Sequence, residues 1–205
     1  MIEQHIYYVE VDRATSFWDR YAESALSFPA LFYKHELIEQ IYPRGENLRL
    51  RRLKRINTIA TVDQTVELWD SLFCGRIYYR ATTKLSLIHQ GWPSGKSIEV
   101  EGIIPDETYH MVESALECTG LRKLRMSFQH IPETIWNLDL IVNGDRTGID
   151  FVVLEGETLD HEAPAPFVLF PELQAKRVKY HSAYSNANLT SAENRAALRE
   201  NPWID

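Results

Sequence analysis

The feature that most constrains this chain is the alternation of charged and apolar residues over runs of strand length. At residues 97–101, Glu99 and Glu101 alternate with Ile98 and Val100. Successive side chains of a β-strand point to opposite faces, so the two glutamates share one face and the two aliphatic residues the other. Two like charges side by side prefer water, unless they line a charged interior that holds a metal ion. The pattern predicts a strand and leaves these two interpretations open.

The same alternation recurs along the chain, and the charges segregate by strand. Cations occupy alternate positions of further predicted strands: Arg49, Arg51, Arg80, Lys84, Lys123 and Arg125. Asp139 and Glu155 lie within otherwise apolar strands. Solvated faces usually mix charges of both signs, and the positions opposite these cations are apolar, as they are where helices cover the outside of a barrel. This favours a charged inner face, although amphipathic strands with a solvated face would show the same alternation. Arg52, Lys54 and Arg55 are expected outside or in a loop.

The rest of the pattern predicts about eight strands with three or four helices between them. The predicted strands cover residues 2–11, 36–42, 48 onward, 75–87, 97 onward, 121–128, 134–142 and 149–157. Helices are predicted from 16, over 64–73, over 106–117 and after 190, with Asp63, Asp106 and Thr190 as N-caps. Residues 91–97 resemble a P-loop, but three residues instead of four separate the glycines, and a strand follows. We therefore predict a hairpin loop there, and a second loop at 161–171.

Composition sets the broad class of the protein. The chain has 205 residues, of which 44% are hydrophobic and 25% charged, as in an ordinary soluble protein with one domain. A net charge of −7 argues against a general nucleic-acid binder. Cys74 and Cys118 lack metal-ligand spacing and are typical of reduced cysteines. Without a signal-like start or a membrane-spanning run, the expectation is a cytoplasmic protein.

Several short motifs resemble those of the CYTH superfamily, also called triphosphate tunnel metalloenzymes, in their order over nearly the whole chain. The E-x-E, R-x-R, K-x-R and f-v-E-x-E strands of that family resemble residues 99–101, 49–51, 123–125 and 151–155. The Q-x-Y, T-x-K and l-D-v strands resemble residues 38–42, 83–84 and 138–139, and the tail resembles Val178 with 184–189. The opening E-x-E-x-K strand resembles residues 2–5, with Met1 and His5 in place of its first glutamate and its lysine. Val153 replaces a glutamate of the late pair, and Ala183 replaces a basic residue.

The resemblance implies a fold and an activity. The implied fold is α+β: one domain over 1–205, an eight-stranded antiparallel β-barrel with helices packed outside. A helical segment at 57–75 replaces a tight hairpin, and a C-terminal helix or tail covers 190–205. The implied activity is metal-dependent hydrolysis of inorganic triphosphate, or of a nucleoside or organic triphosphate, with Mg²⁺ or Mn²⁺ as cofactor.

The resemblance also implies roles for the charged residues. Phosphoryl transfer needs positioning and charge neutralisation, which arginine and lysine supply, and hard cations prefer oxygen ligands. The expected phosphate-binding residues are Arg49, Arg51, Arg80, Lys84, Lys123 and Arg125. The expected metal ligands are Glu3, Glu99, Glu101, Asp139 and Glu155. Glu99, Glu101 and Lys84 are the expected catalytic residues.

Two other functions stay open. One is a degenerate site that binds polyphosphate, a nucleotide or an RNA 5′-triphosphate end without turnover, which Met1 and Val153 favour. The other, ranked lower, is an adenylate cyclase. The expected partner is a triphosphate-containing small molecule, with no membrane and no nucleic acid other than a 5′-triphosphate end. A homodimer also stays open.

Overall fold

The strands form a nine-stranded antiparallel sheet. The computed structural model describes residues 3–23, 32–56, 60–89, 92–131, 134–158, 170–179 and 181–204. The strands are β1 Glu3–Tyr8, β2 Phe32–Pro43, β3 Leu48–Arg55, β4 Tyr78–His89, β5 Trp92–Ile103, β6 Cys118–Ile131, β7 Thr134–Val142, β8 Ile149–Thr158 and β9 Lys176–Arg177. Their order across the sheet is β5-β4-β3-β2-β6-β7-β8-β1-β9, and β5 and β9 form its two edges over the described residues. The predicted α+β class and antiparallel sheet are confirmed.

Five helices accompany the sheet in the described ranges. They are α1 Val11–Glu23, α2 Val62–Glu67, α3 Trp69–Leu72, α4 Asp106–Ala115 and α5 Ala192–Glu200. Short 3₁₀ turns lie at Pro171–Leu173, His181–Tyr184 and Asn188–Thr190. The helical segment predicted at 57–75 is present as α2 and α3, and the predicted C-terminal helix as α5.

Helices cover one face of the sheet, called the helix-covered face below. Its largest cluster joins the apolar sides of α1, α2 and α3 to the sheet: Trp18, Val66, Trp69, Leu37, Leu124, Met126, Trp136, Leu138 and Leu154. A smaller cluster places Tyr109 of α4 against Ile41 and Leu50. Leu50 and Leu124 are therefore buried under helices, as the alternation predicts. Val100 differs, with 57% of its surface exposed, because β5 is an edge strand.

Several predicted boundaries are wrong. β1 ends at Tyr8 and α1 already begins at Val11, because its apolar residues follow a helical period from Ala14 onward. β5 begins at Trp92, so most of the loop predicted at 91–97 is strand. The loop predicted at 161–171 lies mostly outside the described residues.

The predicted helix caps are also one or two residues out of place. α2 is capped by Thr61, whose hydroxyl accepts from the Gln64 backbone N–H while the Gln64 side chain accepts from the Thr61 N–H. This reciprocal pair is a capping box. Ser191 caps α5, its Oγ accepting from the Asn194 N–H at 3.2 Å, where Thr190 was predicted.

Neither Cys74 nor Cys118 forms a disulfide. Among the helices in the described ranges, none combines the length and the apolar character that a membrane crossing requires.

Candidate functional site

The register of the strands brings the predicted cations to one face, called the charged face below. Arg51 pairs with Arg80 of β4 on one side and with Gln40 of β2 on the other. Arg49 pairs with Thr82, which in turn pairs with Glu101 of β5. Directly paired residues of an antiparallel sheet share a face. The charged face is therefore the one opposite the helix-covered face.

Glu101 is the centre of the first charged cluster, on β3, β4 and β5. Arg80 Nη1 donates to Glu101 Oε1 at 2.5 Å, and Glu101 Oε2 accepts from Arg51 Nη2 and, at 3.2 Å, from Thr82 Oγ1. Arg49 Nη2 lies 4.0 Å from Glu99 Oε2. Partial burial alone would raise the pKa of Glu101, but the charges of Arg51 and Arg80 outweigh it and hold that pKa below its usual value. Glu101 is therefore ionised and orients two arginines.

Asp139 is the centre of the second cluster, on β6, β7 and β8. Its Oδ2 accepts from Lys123 Nζ at 2.5 Å and from Arg125 Nη2 at 2.7 Å, and its Oδ1 accepts from Arg125 Nε at 2.6 Å. Arg125 Nη2 also lies 3.7 Å from Glu155 Oε2. Lys123 further donates to Asn186 Oδ1 at 3.2 Å, which joins the C-terminal segment to the cluster. A buried carboxylate shared by two cations fixes both of them in position.

Burial and neighbouring charge shift the pKa values of this second cluster. Burial would raise the pKa of Asp139, but Arg125 and Lys123 outweigh it and lower that pKa to about 2. Burial, reinforced by the charge of Arg125, lowers the pKa of Lys123 to about 8. Burial also raises the pKa of Glu155. The charge of Arg125 opposes this change, and the charge of Asp139 reinforces it. The cluster therefore holds a lysine and a glutamate whose pKa values both move toward neutral pH.

The two clusters influence each other across the sheet. The pKa of Arg51 falls to about 10, mainly because the side chain is buried and also because the charges of Arg49 and Arg125 repel a third cation nearby. Arg51 belongs to the first cluster and Arg125 to the second. The charges of the two clusters therefore act on one another, and Arg51 still carries its positive charge at neutral pH.

Four buried polar atoms on the charged face have no hydrogen-bond partner among the described residues. They are Nε of Arg49, Nε of Arg51, Nε2 of Gln40 and the hydroxyl of Tyr42. Gln40 is only 1% exposed and is the direct strand partner of Arg51. A buried donor without an acceptor costs about 1–3 kcal/mol, so such groups are uncommon unless a ligand meets them. These donors indicate an anion site between β2 and β3.

Not all predicted site residues are placed by the structure. The side chains of Glu3 and Lys84 lie outside what it describes. In the backbone register, Lys84 pairs with Glu99. Glu3 pairs with Thr158. Positions 3 and 7 of β1 lie on the same face of the strand, and the ring of Tyr7 packs in the cluster on the helix-covered face. Glu155 pairs with Ile6, a position on the opposite face of β1 from position 3. The roles predicted for Glu3 and Lys84 stay predictions.

Other residues of the charged face were not predicted as part of the site. Gln40 stands in the Q-x-Y-like stretch, so the resemblance held a signal for it. Asn186 lies in the tail-like stretch 184–189, and no local pattern indicates its contact with Lys123. Arg55, expected outside or in a loop, ends β3 and lines a cavity of about 150 Å³ with Arg80 and Lys34.

Arg52 and Lys54, by contrast, lie away from the charged face as expected. Arg52 pairs with Glu39, which also accepts from the Trp69 indole N–H at 2.8 Å, next to the helices. Lys54 Nζ donates to the Cys74 carbonyl at 2.5 Å.

The carboxylates of the charged face fit a divalent cation only in part. Across the described part of the chain, no three acidic, histidine or cysteine side chains converge as a ready-made metal cage. Both oxygens of Asp139 are already taken by Lys123 and Arg125. Mg²⁺, however, is often held by one or two carboxylates together with substrate phosphates. Glu99, with 47% of its side chain exposed, supplies that kind of donor, whereas both oxygens of Glu101 already accept from Arg51, Arg80 and Thr82.

No protein-family model and no curated protein matches this chain. Solved structures that resemble it include a chain of the Schizosaccharomyces pombe Mediator head module, 11% identical, with a TM-score of 0.41 over 100% of this chain and 97% of that one. The inorganic triphosphatase NE1496 is 14% identical, with a TM-score of 0.36 over 81% and 82%. The Mimivirus capping enzyme triphosphatase is 11% identical, with a TM-score of 0.41 over 84% and 86%. At these identities and TM-scores, the likenesses assign no activity to this chain.

Proposed function

We propose that the charged face binds the triphosphate group of a small molecule and that the chain is a metal-dependent triphosphatase. The observation that carries the binding is the set of buried donors without acceptors on Arg49, Arg51 and Gln40. Hydrolysis of inorganic triphosphate, or of a nucleoside or organic triphosphate, rests on the resemblance of the strand motifs to triphosphate tunnel metalloenzymes. The two parts of the proposal are tested separately below.

The cations of this face suit a triphosphate because they are held in place before any ligand arrives. Glu101 orients Arg51 and Arg80, and Asp139 orients Lys123 and Arg125. A guanidinium whose Nη group is paired with a carboxylate still has N–H groups left for phosphate oxygens. Preorganised cations stabilise charge without reorganising during the reaction, which is what phosphoryl transfer requires of a protein.

Mg²⁺ or Mn²⁺ remains part of the proposal. Glu99 and Glu101 would hold the ion together with the phosphates, and the ion would polarise a phosphorus–oxygen bond or lower the pKa of an attacking water. The chain itself binds and orients the triphosphate, and Lys123 keeps a positive charge close to Asp139. Lys84 would add a further cation from β4.

A specific observation favours the second candidate, binding without turnover. The carboxylates Glu101 and Asp139 each accept hydrogen bonds from two cations and are used in orienting them. Val153 also stands where the resemblance places a glutamate. A site with too few available carboxylates would bind a triphosphate without positioning the metal for hydrolysis.

The experiment measures phosphate release and thermal stabilisation in parallel. Tripolyphosphate, ATP and GTP are each tested with Mg²⁺, with Mn²⁺ and with a chelator, on the natural chain and on Glu99→Gln/Glu101→Gln. Arg49→Gln tests the anion site. Arg44→Gln is its matched control, because Arg44 has 76% of its side chain exposed and pairs with Glu117 away from the charged face.

The outcomes separate the candidates. Metal-dependent phosphate release that the double variant loses, while size-exclusion chromatography shows that this variant has not associated, supports the triphosphatase. Stabilisation by tripolyphosphate without release supports the binding protein, provided that Arg49→Gln weakens it and Arg44→Gln does not. Neither release nor stabilisation overturns both, and the ion pairs of the charged face would then serve the fold alone.

A further inference from the structure

A cavity of about 570 Å³ lies at the end of β6 and β7, and none of the charged residues of the two clusters lines it. β6 runs beyond the end of β7: Arg122 pairs with Val142, the last residue of β7, whereas the pairing of β6 with β2 continues to Cys118. Residues 118–121 of β6 therefore have a neighbouring strand on one side only within the described ranges. The cavity lies beside them, between α4 and residues 143–144, and its volume is usual for a small-molecule site.

Arg122 lines this cavity, and a buried carboxylate holds it in place. Its Nε donates to Glu39 Oε1 at 2.8 Å, and Glu39 is only 5% exposed. The same carboxylate accepts from the Trp69 indole N–H at 2.8 Å and pairs with Arg52. Burial alone would raise the pKa of Glu39, but these partners outweigh it and hold that pKa below its usual value. Glu39 is therefore ionised and fixes the guanidinium of Arg122.

Arg122 also keeps donors for a ligand. Only its Nε donates to an acceptor among the described residues, and the side chain is 34% exposed. Arg195 lines the cavity as well, but its N–H groups donate to Asp150 and to the Leu189 carbonyl. The N–H groups on the Nη atoms of Arg122 are therefore the cationic donors that the cavity offers. A guanidinium edge of this kind binds a carboxylate through two parallel hydrogen bonds.

The charge balance of the cavity favours a ligand with a single negative charge. Glu39 is shared by Arg52 and Arg122, which leaves one positive charge in excess. Glu113 of α4 also lines the cavity, and its charge adds to the effect of burial in raising the pKa of Tyr109, another lining residue. A ligand with several negative charges, such as a triphosphate, would be repelled by Glu113. The cavity therefore suits a monoanion, whose charge Arg122 neutralises.

The rest of the lining is largely apolar. Its apolar side chains are Ile41, Tyr109, Leu116, Leu121 and Val142. Leu116 is 46% exposed, whereas each of the others is less than 10% exposed. Apolar surface that is left in water favours a ligand that covers it. An apolar body on the ligand would therefore gain most by packing on Leu116.

We propose that this cavity binds a small organic acid, which consists of one carboxylate on an apolar body. The carboxylate accepts from the Nη groups of Arg122, and the body packs on Leu116. The site is separate from the anion site of the charged face. It stands whether or not that face binds a triphosphate.

The experiment follows the backbone signals of the natural chain by two-dimensional NMR during titration with two probes, phenylacetate and 4-methylpentanoate. We expect saturable shifts at 116–122 and 142–144. Phenylacetamide lacks the charge and phenylmalonate carries a second one, so both should bind about tenfold more weakly or worse than phenylacetate. Tripolyphosphate should not displace phenylacetate.

A pair of arginine variants tests the proposed carboxylate partner. Arg122→Gln removes the Nη groups, while Glu39 keeps Arg52 as its partner. Its matched control is Arg13→Gln, because Arg13 is 39% exposed and likewise pairs with a glutamate, Glu10, beside α1. Arg122→Gln should weaken phenylacetate binding about tenfold or more, and Arg13→Gln should leave it unchanged.

A second variant fills the cavity and leaves every charge in place. An added Cβ at Gly120, which lines the cavity, would meet only the Gln40 carbonyl oxygen, at 3.8 Å. Gly120→Val therefore fits the strand and occupies the space of the ligand. We expect it to weaken the binding of both probes while the melting temperature shows that the protein is folded.

Three results would overturn the inference. One is phenylacetamide binding as tight as that of phenylacetate, and another is binding that Arg122→Gln and Gly120→Val leave unchanged. The third is the absence of saturable shifts with either probe at about 10 mM, where a site with a millimolar Kd would be mostly occupied. Displacement by tripolyphosphate would place the acid on the charged face and would overturn the separate site.

Discussion

The ring of Trp136 lies directly over the backbone of Gly156, its partner residue in the sheet. A Cβ atom added at Gly156 would come within 2.6 Å of Trp136 Cζ3. Both residues are buried, and Trp136 belongs to the main cluster of the helix-covered face. The close approach means that only glycine fits opposite this ring.

The first prediction follows from that contact. Gly156→Ala should destabilise the protein by about 1–3 kcal/mol, because the indole has to move within a filled core. Gly102→Ala is the matched control, since Gly102 also lies in a strand and its added Cβ would meet no atom within 4 Å. Urea unfolding of both variants gives the comparison. Equal stability of the two would contradict the close contact.

Removal of the Asp139 charge should destabilise strongly. Asp139→Asn leaves Lys123 and Arg125 buried without their carboxylate, for which we expect a loss of about 3–5 kcal/mol. Asp63→Asn, at an exposed position in the first turn of α2, should change the free energy of unfolding by less than about 0.5 kcal/mol. A loss at Asp139 as small as that at Asp63 would show that the ion pairs are exposed to water.

Gln40 should show opposite effects on stability and on binding. Gln40→Met keeps the length of a 1% exposed side chain and removes a buried donor that has no acceptor among the described residues. We expect the ligand-free protein to gain about 1 kcal/mol. Stabilisation by tripolyphosphate should weaken at the same time. A variant that loses stability without ligand would show that the amide is already satisfied.

His35 should make stability depend on pH below neutrality. Burial lowers its pKa from 6.5 to about 4, and its ring lies between Trp18 and Tyr21, at 5.6 and 5.7 Å. The unfolded chain takes up a proton near pH 6.5 and the folded chain only near pH 4, so stability falls as pH drops through this window, by up to roughly 3 kcal/mol. His35→Phe keeps a ring and cannot titrate, so its unfolding free energy should fall less over the same range. Unfolding free energies that fall equally with pH in both proteins would contradict the lowered pKa of His35.

The cap of α5 gives a small and local test. Ser191→Ala removes the oxygen that accepts from the Asn194 N–H and should cost about 1 kcal/mol. Thr190→Ala, one residue earlier, removes only a hydroxyl that donates to the Ala187 carbonyl and should cost less. A larger loss of stability in Thr190→Ala than in Ser191→Ala would identify Thr190 as the N-cap, as the sequence pattern predicts.

Much of the sheet was predictable because alternation is a local signal. The alternating charged residues all fall in strands, at 49–51, 80–84, 99–101 and 123–125. The apolar positions Leu50 and Leu124 between them are buried under helices. The cap of α2 was also within reach, since Thr61 and Gln64 have the spacing of a capping box. Asp63, which also belongs to a residue type that favours N-caps, stands two residues later and competes with Thr61 as a sequence signal.

The rest depended on contacts that no local pattern carries. A shift of one residue exchanges the two faces of a strand, so the sequence could not fix the face of Glu3 in a strand without clear alternation. The contact between Lys123 and Asn186 joins residues that are 63 positions apart. The sharing of Asp139 between two cations depends on the alignment of β6 with β7, which is set by the whole sheet.

The edge strand β5 has a consequence for solubility. It presents Val100 and Ile103, 57% and 81% exposed, beside an unpaired row of backbone donors and acceptors over the described residues. Such an edge invites pairing with the same strand of another molecule, and charged side chains are a common protection against it. Glu99 and Glu101 are therefore gatekeepers as well as candidate ligands, and a variant that neutralises both exposes the protein to association edge to edge.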